Sequence, residues 1–442
     1  MIEKILSLGR KIIPKPLFRA CQPIYHWLLA WGAALWYGFP SRKLTIIGVT
    51  GTNGKSTVVE LLHAILMEAD ESVASLSSIR FKIKNNENIN DLKMTMPGRF
   101  QMQRFLYKAV RAGCTYAALE VTSEGIKQFR HKGIAFSLAV LTNVTPEHLE
   151  SHGGFENYRA SKARLFYSAP SHILNGEDSN IEYFLKIPAR NRIVYTKKDI
   201  PADWHIPLLG DFNKENVAAA YQAARFLGTD PEKIKRAIEM FSGVPGRLEF
   251  IQREPFSVVV DYAHTPDALR KVYEILRSVL FSSTSDVKPS KTSDVFPSGA
   301  RKLICILGAA GGGRDKRKRP EMGKIATEFC DEIIVTNEDP YDENPATIID
   351  QIEAGFSQNQ KSKIKNQKVR KILNRKEAIR AAISYAQPSD VVIITGKGCE
   401  PWMMGPHGTR TPWDDRKVVR EELQRLHHKT ERVGEDNERR LT

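Results

Sequence analysis

A glycine-rich segment, GVTGTNGKST at 48–57, stands between a short apolar run and an amphipathic stretch. The run that leads into it, LTIIGV, is typical of a buried strand, and apolar residues recur at helical spacing from Val58 to Leu66. A strand, a glycine-rich loop and a helix N-terminus in this order direct backbone N–H groups to one point, which suits them to bind phosphate. We expect Lys55 to reach the β- and γ-phosphates of a nucleotide and the Ser56 hydroxyl to bind Mg²⁺.

The spacing of this loop departs from the usual nucleotide-binding pattern. That pattern has a glycine five residues before the Gly-Lys pair, where this chain has Val49. The prediction of phosphate binding therefore depends on the strand–loop–helix context and on the GTNGKS core. A second glycine cluster, GAAGGG at 308–313, lacks the GxGxxG spacing, so we expect no dinucleotide site there.

Short β-branched runs alternate with amphipathic stretches along most of the chain, which predicts an α/β fold with parallel sheets covered by helices on both faces. The predicted strands are 44–49, 116–121, 137–144, 257–261, 302–308, 332–336 and 391–396. A length of 442 residues predicts two or three domains, and the Gly/Pro cluster at 243–246 marks a boundary. The expected divisions are a basic, Trp-rich helical segment (1–43), a central domain (44–244), a C-terminal domain (245–425) with a flexible insertion (282–300), and a charged tail (426–442).

The N-terminal segment combines positive charge with the longest apolar run. Residues 1–43 carry seven Lys and Arg side chains against one Glu, and the run 24–39 has His26 as its one clearly polar residue. As a helix this run would extend roughly 24 Å, which is short of the ~30 Å hydrocarbon core of a bilayer. We do not expect a membrane-spanning helix or a signal peptide. Two alternatives remain: a helix at the membrane interface, and a helix packed against the body of the protein.

The composition of the chain excludes some classes of protein and favours one class of partner. The chain is 41% hydrophobic, which excludes a disordered chain, and its formal net charge of +15 favours anionic partners. Five cysteines are widely spaced without a CxxC pair, so we expect neither a disulfide framework nor a zinc ribbon and place the protein in the cytoplasm.

Three further side chains are candidates for chemistry. Glu120 ends a predicted strand, where a carboxylate can point into a ligand crevice and bind Mg²⁺, or can simply face solvent. His148 follows another strand in TNVTPEHLESHGG, although a single loop histidine is usually a surface residue. Lys162 falls within an apolar helical face, four residues from Tyr158 and four from Phe166. Either the alkyl chain of Lys162 extends so that its amine reaches solvent, or the amine takes part in the chemistry, for example as a carbamate formed with CO₂.

Together these residues and eight further blocks resemble the Mur ligase family, the ATP-dependent amino-acid ligases of peptidoglycan precursor synthesis, and in particular its tripeptide-forming type. The resemblance extends from about residue 44 to about residue 425. Its blocks are GTNGKST (51–57), TMPG (95–98), EVTSEG (120–125), TNVTPEHLESHG (142–153), NYRASKARLF (157–166), FNKEN (212–216), GRLE (246–249), DYAHTPDAL (261–269), GGRDKRKRPEMG (312–323), NEDP (337–340) and GKGCE (396–400).

The resemblance implies a fold and a set of residue roles. It implies a central P-loop-type ATPase domain with a mainly parallel sheet, followed by a C-terminal Rossmann-like α/β domain. The implied nucleotide-binding residues are Gly51, Thr52, Asn53, Gly54, Lys55, Ser56, Thr57, Asn213, Asn216, Arg247, Asp261 and His264. The implied metal ligands are Ser56, Glu120, His148 and a carbamylated Lys162, and Lys55, Glu120, His148 and Lys162 are the implied catalytic group. Thr95 would contact the muramoyl peptide, and Arg314, Asp339, Gly396 and Glu400 would line the amino-acid pocket.

The implied reaction uses ATP and two Mg²⁺ ions to convert the terminal carboxylate of a UDP-muramoyl peptide into an acyl phosphate, which the incoming amino acid attacks. Domain closure would keep water from the acyl phosphate. The resemblance implies a cytoplasmic monomer that binds no nucleic acid. The basic, Trp-rich segment suggests that residues 1–43 dock on the inner face of the membrane.

Three departures from the family pattern bear on these roles. Only 43 residues precede the nucleotide strand, so we expect the usual UDP-binding domain of about one hundred residues to be missing and the Trp-rich segment to stand in its place. Enzymes that add diaminopimelate have Asp-Asn-Pro-Arg where this chain has Glu-Asp-Pro-Tyr at 338–341, so lysine or another diamino acid is at least as plausible. Two histidines of the family pattern are Glu124 and Cys399 here.

Two other functions are compatible with parts of the pattern. A ligase similar to folylpolyglutamate synthetase or cyanophycin synthetase would share the ATP chemistry but use another acceptor. A nucleotide-binding scaffold without catalysis is the alternative outside enzymes, although Lys55, Glu120, His148 and Lys162 argue against it.

Overall fold

The computed structural model describes residues 15–92, 94–146, 152–281, 302–356 and 367–441. The chain forms two compact units that divide between Ser242 and Gly243. His148 and the expected insertion at 282–300 lie outside the described residues.

Helices and strands alternate in both units. The helices are α1 (Lys15–Trp36), α2 (Lys55–Glu68), α3 (Arg99–Arg111), α4 (Ser123–Lys127), α5 (Phe155–Phe166), α6 (Ile181–Leu185), α7 (Asp211–Phe226), α8 (Pro231–Glu239), α9 (Pro266–Phe281), α10 (Lys318–Phe329), α11 (Pro345–Glu353), α12 (Arg375–Tyr385) and α13 (Asp415–Leu441). The strands are β1 (Thr45–Thr50), β2 (Val73–Leu76), β3 (Arg80–Ile83), β4 (Asn86–Ile89), β5 (Tyr116–Glu120), β6 (Phe136–Leu141), β7 (Ser171–Asn175), β8 (Asn191–Tyr195), β9 (Glu249–Gln252), β10 (Ser257–Asp261), β11 (Leu303–Leu307), β12 (Glu332–Val335), β13 (Lys368–Lys371), β14 (Val391–Thr395), β15 (Trp402–Met404) and β16 (Arg410–Pro412). Helix α13 runs through most of the segment that we expected to be a charged tail.

The first unit is built on an eight-stranded sheet of order β4-β3-β2-β5-β1-β6-β7-β8. The six strands from β2 to β8 in this order are parallel, and β3 and β4 add an antiparallel hairpin at one edge. Strand β1 lies between β5 and β6. Because parallel strands end at the same edge of a sheet, the loop after β1 meets the residues that follow β5 and β6 there.

The second unit contains a six-stranded sheet of order β13-β12-β11-β14-β10-β9, in which β9 alone is antiparallel to its neighbour. Alternate residues of β11 belong to different hydrophobic clusters, Leu303 to one face of the sheet and Ile304 to the other. Both faces are therefore covered, as expected for parallel strands made of continuous apolar runs. The predicted α/β class, with a mostly parallel sheet and a second sheet, is confirmed.

Helix α1 packs against α3 of the first unit through its small residues. Ala30, Ala33 and Ala34 are buried, whereas large apolar side chains of the same helix face outwards. The exposed side chains are Ile24, Tyr25, Trp27, Leu28, Trp31, Leu35 and Trp36. Within the described ranges, we find no helix whose length and apolar character would let it cross a membrane. Both alternatives for this segment thus retain support, because one face is packed and the other is apolar and open.

Candidate active site

The loop between β1 and α2 depends on glycine at two positions. Gly54 caps α2 with a positive φ of 84°, and a β-carbon there would collide with the side-chain oxygen of Asn216. A β-carbon at Gly51 would collide with the hydroxyl of Thr142, the residue that follows β6. The same hydroxyl donates a 2.6 Å hydrogen bond to the carbonyl of Asn53. The loop is therefore held against neighbouring elements at several points, which fixes the direction of its backbone N–H groups.

Two of the predicted metal ligands meet at the start of α2. Ser56 donates a 2.8 Å hydrogen bond to Oε2 of Glu120, the last residue of β5, and both side chains are buried. The backbone N–H of Ser78 donates to the same carboxylate oxygen at 2.8 Å. Beside them, Lys55 donates from Nζ to the carbonyl of Thr52 at 2.7 Å, and Thr57 is buried in the first turn. A hydroxyl and a carboxylate are hard oxygen donors of the kind that Mg²⁺ prefers, so this pair fits such an ion.

Lys162 reaches the loop from helix α5. Its side chain is 1% exposed, and Nζ donates a 2.6 Å hydrogen bond to the carbonyl of Gly51. Nζ also lies 4.4 Å from the centroid of the Tyr158 ring, whose hydroxyl is 3.1 Å from Oγ1 of Thr52. The amine therefore does not reach solvent. This excludes the first of the two alternatives for Lys162, in which its extended alkyl chain carries the amine to the surface.

Tyr158 and His152 extend this group of residues, and neither was selected from the sequence. The ring of His152 packs edge-on against Tyr158 with centroids 5.3 Å apart, and its Nε2 lies 3.3 Å from Oε1 of Glu124. His148 cannot be placed because 147–151 lie outside the described residues. Among the described residues, three His, Cys, Asp or Glu side chains do not cluster at any point in a way that could hold a metal ion.

Asn213 and Asn216 lie on the first turns of α7, beside the loop. Asn216 donates from Nδ2 to Oδ1 of Asn213 at 3.1 Å, and Asn213 donates to the carbonyl of Leu209 at 2.7 Å. The side chain of Asn216 is the one that excludes a β-carbon at Gly54. The structure thus places Asn216 against the loop itself, with Asn213 orienting it.

A cluster of positive side chains follows Thr95, which is partly exposed before α3. Arg99 at the start of α3 donates to the carbonyl of Gln128, and Arg130 donates to the carbonyl of Met96. Neither guanidinium forms an ion pair with a carboxylate in the described part of the chain, and the Nε atoms of both are buried without a hydrogen-bond partner there. Burial and these two arginines lower the pKa of His26, on α1, to about 4. Such a cluster suits an anionic ligand.

In the second unit, Asp261 ends β10 and organises the residues around it. Its carboxylate accepts 2.7 Å hydrogen bonds from the backbone N–H groups of Leu248 and Ala263. Burial raises the pKa of Asp261, and the nearby Arg247 opposes this effect. The Arg247 guanidinium lies 4.3 Å from the centroid of the Tyr262 ring. His264 Nδ1 is 2.9 Å from the carbonyl of Tyr262. The structure thus brings the predicted residues Arg247, Asp261 and His264 together.

Three of the four residues predicted to line an amino-acid pocket lie close together in the second unit. Lys397 is buried between two of them: Nζ donates to both oxygens of Asp339, at 2.9 and 3.0 Å, and to Glu400. Glu400 also accepts a 2.9 Å hydrogen bond from the hydroxyl of Tyr262. Gly396, with a φ of 110°, precedes this group. Lys397 was not selected from the sequence, since a lysine between two loop glycines has no distinctive pattern.

The fourth residue, Arg314, contacts an aromatic ring, and the negative charge of Asp339 acts on it from a longer distance. Its guanidinium lies 5.0 Å from the centroid of the Tyr341 ring and donates to the Tyr341 hydroxyl at 3.4 Å. It also donates to the carbonyl of Gly311 at 3.3 Å. Tyr341 occupies the position at which the resemblance would place an arginine in enzymes that add diaminopimelate.

Two family models match most of this chain. Residues 49–204 match the model for the Mur ligase middle domain, and residues 246–398 match the model described as Mur ligase, glutamate ligase domain. The chain is 34% identical to a UDP-N-acetylmuramoyl-L-alanyl-D-glutamate–2,6-diaminopimelate ligase from Trichormus variabilis, over 88% of this chain and 79% of the relative. It is 35% identical to a UDP-N-acetylmuramyl-tripeptide synthetase from Roseiflexus sp., over 94% and 85%.

Two solved structures are also similar to this chain, to different degrees. A structure of a UDP-N-acetylmuramoyl-L-alanyl-D-glutamate–2,6-diaminopimelate ligase has a TM-score of 0.56 and 30% identity, covering 87% of this chain and 79% of that one. A bifunctional folylpolyglutamate synthase/dihydrofolate synthase from Yersinia pestis has a TM-score of 0.64 at 17% identity, covering 91% and 93%. At that identity the second match shows a shared fold alone.

Proposed function

The chain belongs to the Mur ligase family, and we propose that it joins an amino acid to the terminal carboxylate of a UDP-N-acetylmuramoyl dipeptide, or a related muramoyl peptide, through an acyl phosphate. Members of this family are ATP-dependent ligases that form carbon–nitrogen bonds in peptidoglycan precursor synthesis. The muramoyl names belong to the relatives with 34–35% identity, whereas the folate enzyme shares only the fold. The sequence comparisons therefore favour a muramoyl acceptor over a folate.

The observation that carries the proposal is the buried ammonium of Lys162 on the carbonyl of Gly51. A lysine in an apolar helical face is costly to bury unless its charge has a partner. Here the partner belongs to the phosphate-binding loop, so the amine lies next to the position where a triphosphate would bind. A scaffold that only stored a nucleotide would not require a buried amine at this point.

Different residues of the first unit would have different roles in the phosphate-transfer step. The backbone N–H groups of 51–57 and the ammonium of Lys55 would bind the phosphates and stabilise the negative charge that develops during transfer. Ser56 and Glu120 would hold Mg²⁺, which neutralises phosphate charge when it is bound. Asn213 and Asn216 would orient the nucleotide beside the loop.

A carbamate on Lys162 extends this proposal. A lysine reacts with CO₂ once its ammonium has lost a proton, and a second proton leaves as the carbamate forms. The product is an anionic oxygen ligand, which could hold a second Mg²⁺ together with His148. The short distance from Nζ to the loop supports this role, since the added oxygens would lie near the phosphates.

We assign the acceptor's anionic group to the cluster of His26, Arg99 and Arg130. The two guanidinium groups are each bonded to neutral acceptors, so an anion bound there would gain charge-assisted hydrogen bonds from both. Thr95 precedes this cluster and would contact the same peptide. Helix α1 contributes His26, which gives the N-terminal segment a part in holding the acceptor.

The second unit would supply the remaining substrate contacts. Arg247, Asp261 and His264 form a connected group at the end of β10 and would contact the nucleotide. Arg314, Asp339, Gly396 and Glu400 would bind the incoming amino acid. The described cysteines 114, 305, 330 and 399 are all free, which supports a cytoplasmic enzyme. The exposed Trp and Leu side chains of α1 would dock it on the inner face of the membrane.

The deciding experiment measures ATP-dependent phosphate release with UDP-muramoyl dipeptide and a pool of amino acids, followed by mass spectrometry of the product. We expect release that requires both acceptor and amino acid, and a product heavier than the dipeptide by one amino-acid residue. Release that occurs only with folate-type acceptors would favour the other ligase class. Nucleotide binding without any release would favour the scaffold.

A further inference from the structure

Helix α1 belongs both to the cluster of His26, Arg99 and Arg130 and to an exposed apolar surface. The positive charges of Arg99 and Arg130 act on His26, whose Nδ1 is buried without a hydrogen-bond partner among the described residues. Apolar side chains on the outward side of the same helix are between 38% and 78% exposed. We call this surface the α1 face, and its residues are Ile24, Trp27, Leu28, Trp31, Leu35 and Trp36. A helix rises about 1.5 Å per residue, so part of the α1 face lies within one turn of the cluster.

Cationic side chains border the α1 face. The Arg42 guanidinium lies 4.4 Å from the centroid of the Phe39 ring, which is 6.2 Å from the ring of Trp31. Arg104 and Arg111 are exposed on α3, the helix against which α1 packs. A two-fold contact between copies of this face would bring these like charges together, which disfavours a second copy as its occupant. Indole rings among aliphatic side chains, with cations at the border, suit the interface of an anionic membrane.

The cluster is joined to the candidate phosphate site by close contacts. Arg130 donates a hydrogen bond to the carbonyl of Met96, and a β-carbon at Gly125 would collide with the sulfur of Met96. Gly125 lies on α4, which begins three residues after Glu120, the predicted Mg²⁺ ligand at the end of β5. An acceptor whose anionic group binds the cluster can therefore extend its peptide towards the phosphate-binding loop.

A soluble anionic acceptor is poorly suited to an enzyme that lies on an anionic membrane. At a surface potential of about −30 mV, the local concentration of an anion falls about threefold for each negative charge. A muramoyl dipeptide on a diphosphate carries two phosphate charges and two carboxylates, so its depletion at the surface reaches about a hundredfold. An acceptor on a lipid is instead concentrated in the same plane as the enzyme.

We propose that the acceptor is a muramoyl peptide carried on a polyprenyl diphosphate in the membrane on which α1 docks, and that His26, Arg99 and Arg130 bind its diphosphate. A helix in the interface lies near the depth of the lipid phosphates, which brings the cluster to the diphosphate. This inference rests on the proposed function, because it names the carrier of the same acceptor.

The carrier takes no part in the bond changes. The γ-phosphoryl group of ATP moves to the peptide carboxylate, and the incoming amine displaces it as phosphate and loses a proton, so the diphosphate link stays intact. A UDP-linked acceptor presents the same diphosphate and peptide to the enzyme. It therefore remains a substrate, with a lower kcat/KM.

The test compares the same muramoyl dipeptide on two carriers in the phosphate-release assay, with the full chain, ATP and a pool of amino acids. One acceptor is UDP-linked and dissolved, and the other is linked to polyprenyl diphosphate in vesicles of phosphatidylglycerol and phosphatidylcholine. Vesicles of the same lipids are present in both assays. We expect kcat/KM for the lipid-linked acceptor to exceed that for the UDP-linked acceptor by about tenfold or more. An equal or lower value would overturn the inference and leave the proposed function intact.

Charges placed on the α1 face test whether the preference depends on docking. Leu28 and Leu35 are 57% and 69% exposed, so Leu28→Glu combined with Leu35→Glu does not disturb the core. We expect the ratio of the two kcat/KM values to fall about tenfold or more, because carboxylates resist entry into the bilayer. The control, Tyr167→Glu with Met240→Glu, adds the same charges at side chains that are 69% and 77% exposed elsewhere in the first unit. A ratio that the α1 charges leave unchanged would overturn the inference.

Binding is measured separately from turnover, by co-sedimentation of the full chain with vesicles that contain or lack the lipid-linked muramoyl dipeptide. We expect the acceptor to tighten vesicle binding about tenfold or more, and Arg99→Met with Arg130→Met to remove this gain while binding to plain vesicles persists. Equal binding to both kinds of vesicle would overturn the inference whatever the turnover. If the gain is found but no acceptor supports phosphate release, the proposed function fails and the lipid-linked site stands.

Discussion

The ammonium of Lys162 donates a 2.6 Å hydrogen bond to the carbonyl oxygen of Gly51. One residue lies on a helix after β6 and the other begins the loop after β1, so the contact joins two elements that meet at the carboxyl edge of the first sheet. The burial of the amine places a chemically adaptable group beside the expected phosphates. Replacement of Lys162 tests what this group does.

Replacing Lys162 with Ala should lower the rate of phosphate release by about a hundredfold or more, because it removes a charged group beside the transferred phosphate. Nucleotide binding should persist, since the loop itself remains. If a carbamate is the active form, short carboxylic acids should restore part of the rate in this variant. The control is Lys108→Ala, at an exposed lysine of α3. Full turnover without Lys162 would contradict the assigned role.

Gly54→Ala should abolish most nucleotide binding, because the added β-carbon collides with Asn216 and displaces the loop. Gly228 provides a matched control: its φ of 87° resembles the 84° of Gly54, but a β-carbon there meets nothing within 4 Å. Each substitution should cost about 1–2 kcal/mol of unfolding free energy for the left-handed backbone. Only Gly54→Ala should lose affinity for ATP in a titration. Equal affinities in the two variants would show that contact with Asn216 does not shape the loop.

Seven central strands could be predicted from the sequence, and the edge strands could not. The central strands β2 (VASL) and β7 (SHILN) were also missed, because their apolar runs are too short to stand out. Strands β1, β5, β6, β10, β11, β12 and β14 are covered on both sides and consist of apolar runs. The edge strands β4 and β13 read NENI and KVRK and are largely exposed, so no hydrophobic pattern distinguishes them from loops. The pattern that marks a strand in a sequence comes from burial, which the edge of a sheet lacks.

Some residues of the candidate site could likewise be selected from the sequence, and others could not. Glu120 and Lys162 stand out locally, one at a strand end and the other within an apolar helical face. Arg99 and Arg130 are ordinary charged residues 31 positions apart, and only the folded chain brings them together with His26. Glu338, which follows β12, likewise becomes distinctive only because Gly308 after β11 and Gly396 after β14 lie against it in the folded chain. Long-range electrostatic groupings of this kind leave no periodic pattern in the sequence.

Arg375→Met should lower the unfolding free energy of the second unit by about 3–5 kcal/mol, because it leaves the buried Asp415 without its counter-ion. Both side chains of this pair are fully buried. The neighbouring Lys376 pairs with Glu421 at 2.7 Å, but these side chains are 41% and 42% exposed. Lys376→Met should therefore change stability by less than about 1 kcal/mol. Urea denaturation of both variants checks the difference, and equal losses would contradict it.

Acidification should destabilise the first unit through buried histidines. Burial lowers the pKa of His131 to about 3 from an ordinary value of 6.5, so the unfolded chain takes up a proton that the folded chain resists. The contribution of neutral His131 to the free energy of unfolding is fully present above pH 6.5 and is lost as the pH falls towards 3. His131→Leu should flatten that part of the profile of unfolding free energy against pH. Replacing His205, which lies on an exposed loop, should leave the slope unchanged. The same slope after loss of His131 would assign the effect to other groups.

The outward face of α1 should bind anionic membranes. Trp27, Trp31 and Trp36 are 45%, 38% and 78% exposed, while the alanine face of the same helix packs inwards, so membrane insertion of the indole rings would not disturb the fold. We expect the chain to co-sediment with phosphatidylglycerol vesicles, less so at high salt, because the N-terminal segment is basic. Replacing the three tryptophans with Ala should reduce the bound fraction by about tenfold or more, a loss that needs only ~1.4 kcal/mol. Tyr167→Ala and Met240→Ala are matched controls, since both remove exposed apolar side chains elsewhere in the unit. Sedimentation that is unchanged by the tryptophan substitutions, or by deletion of residues 1–40, would exclude membrane docking through this helix.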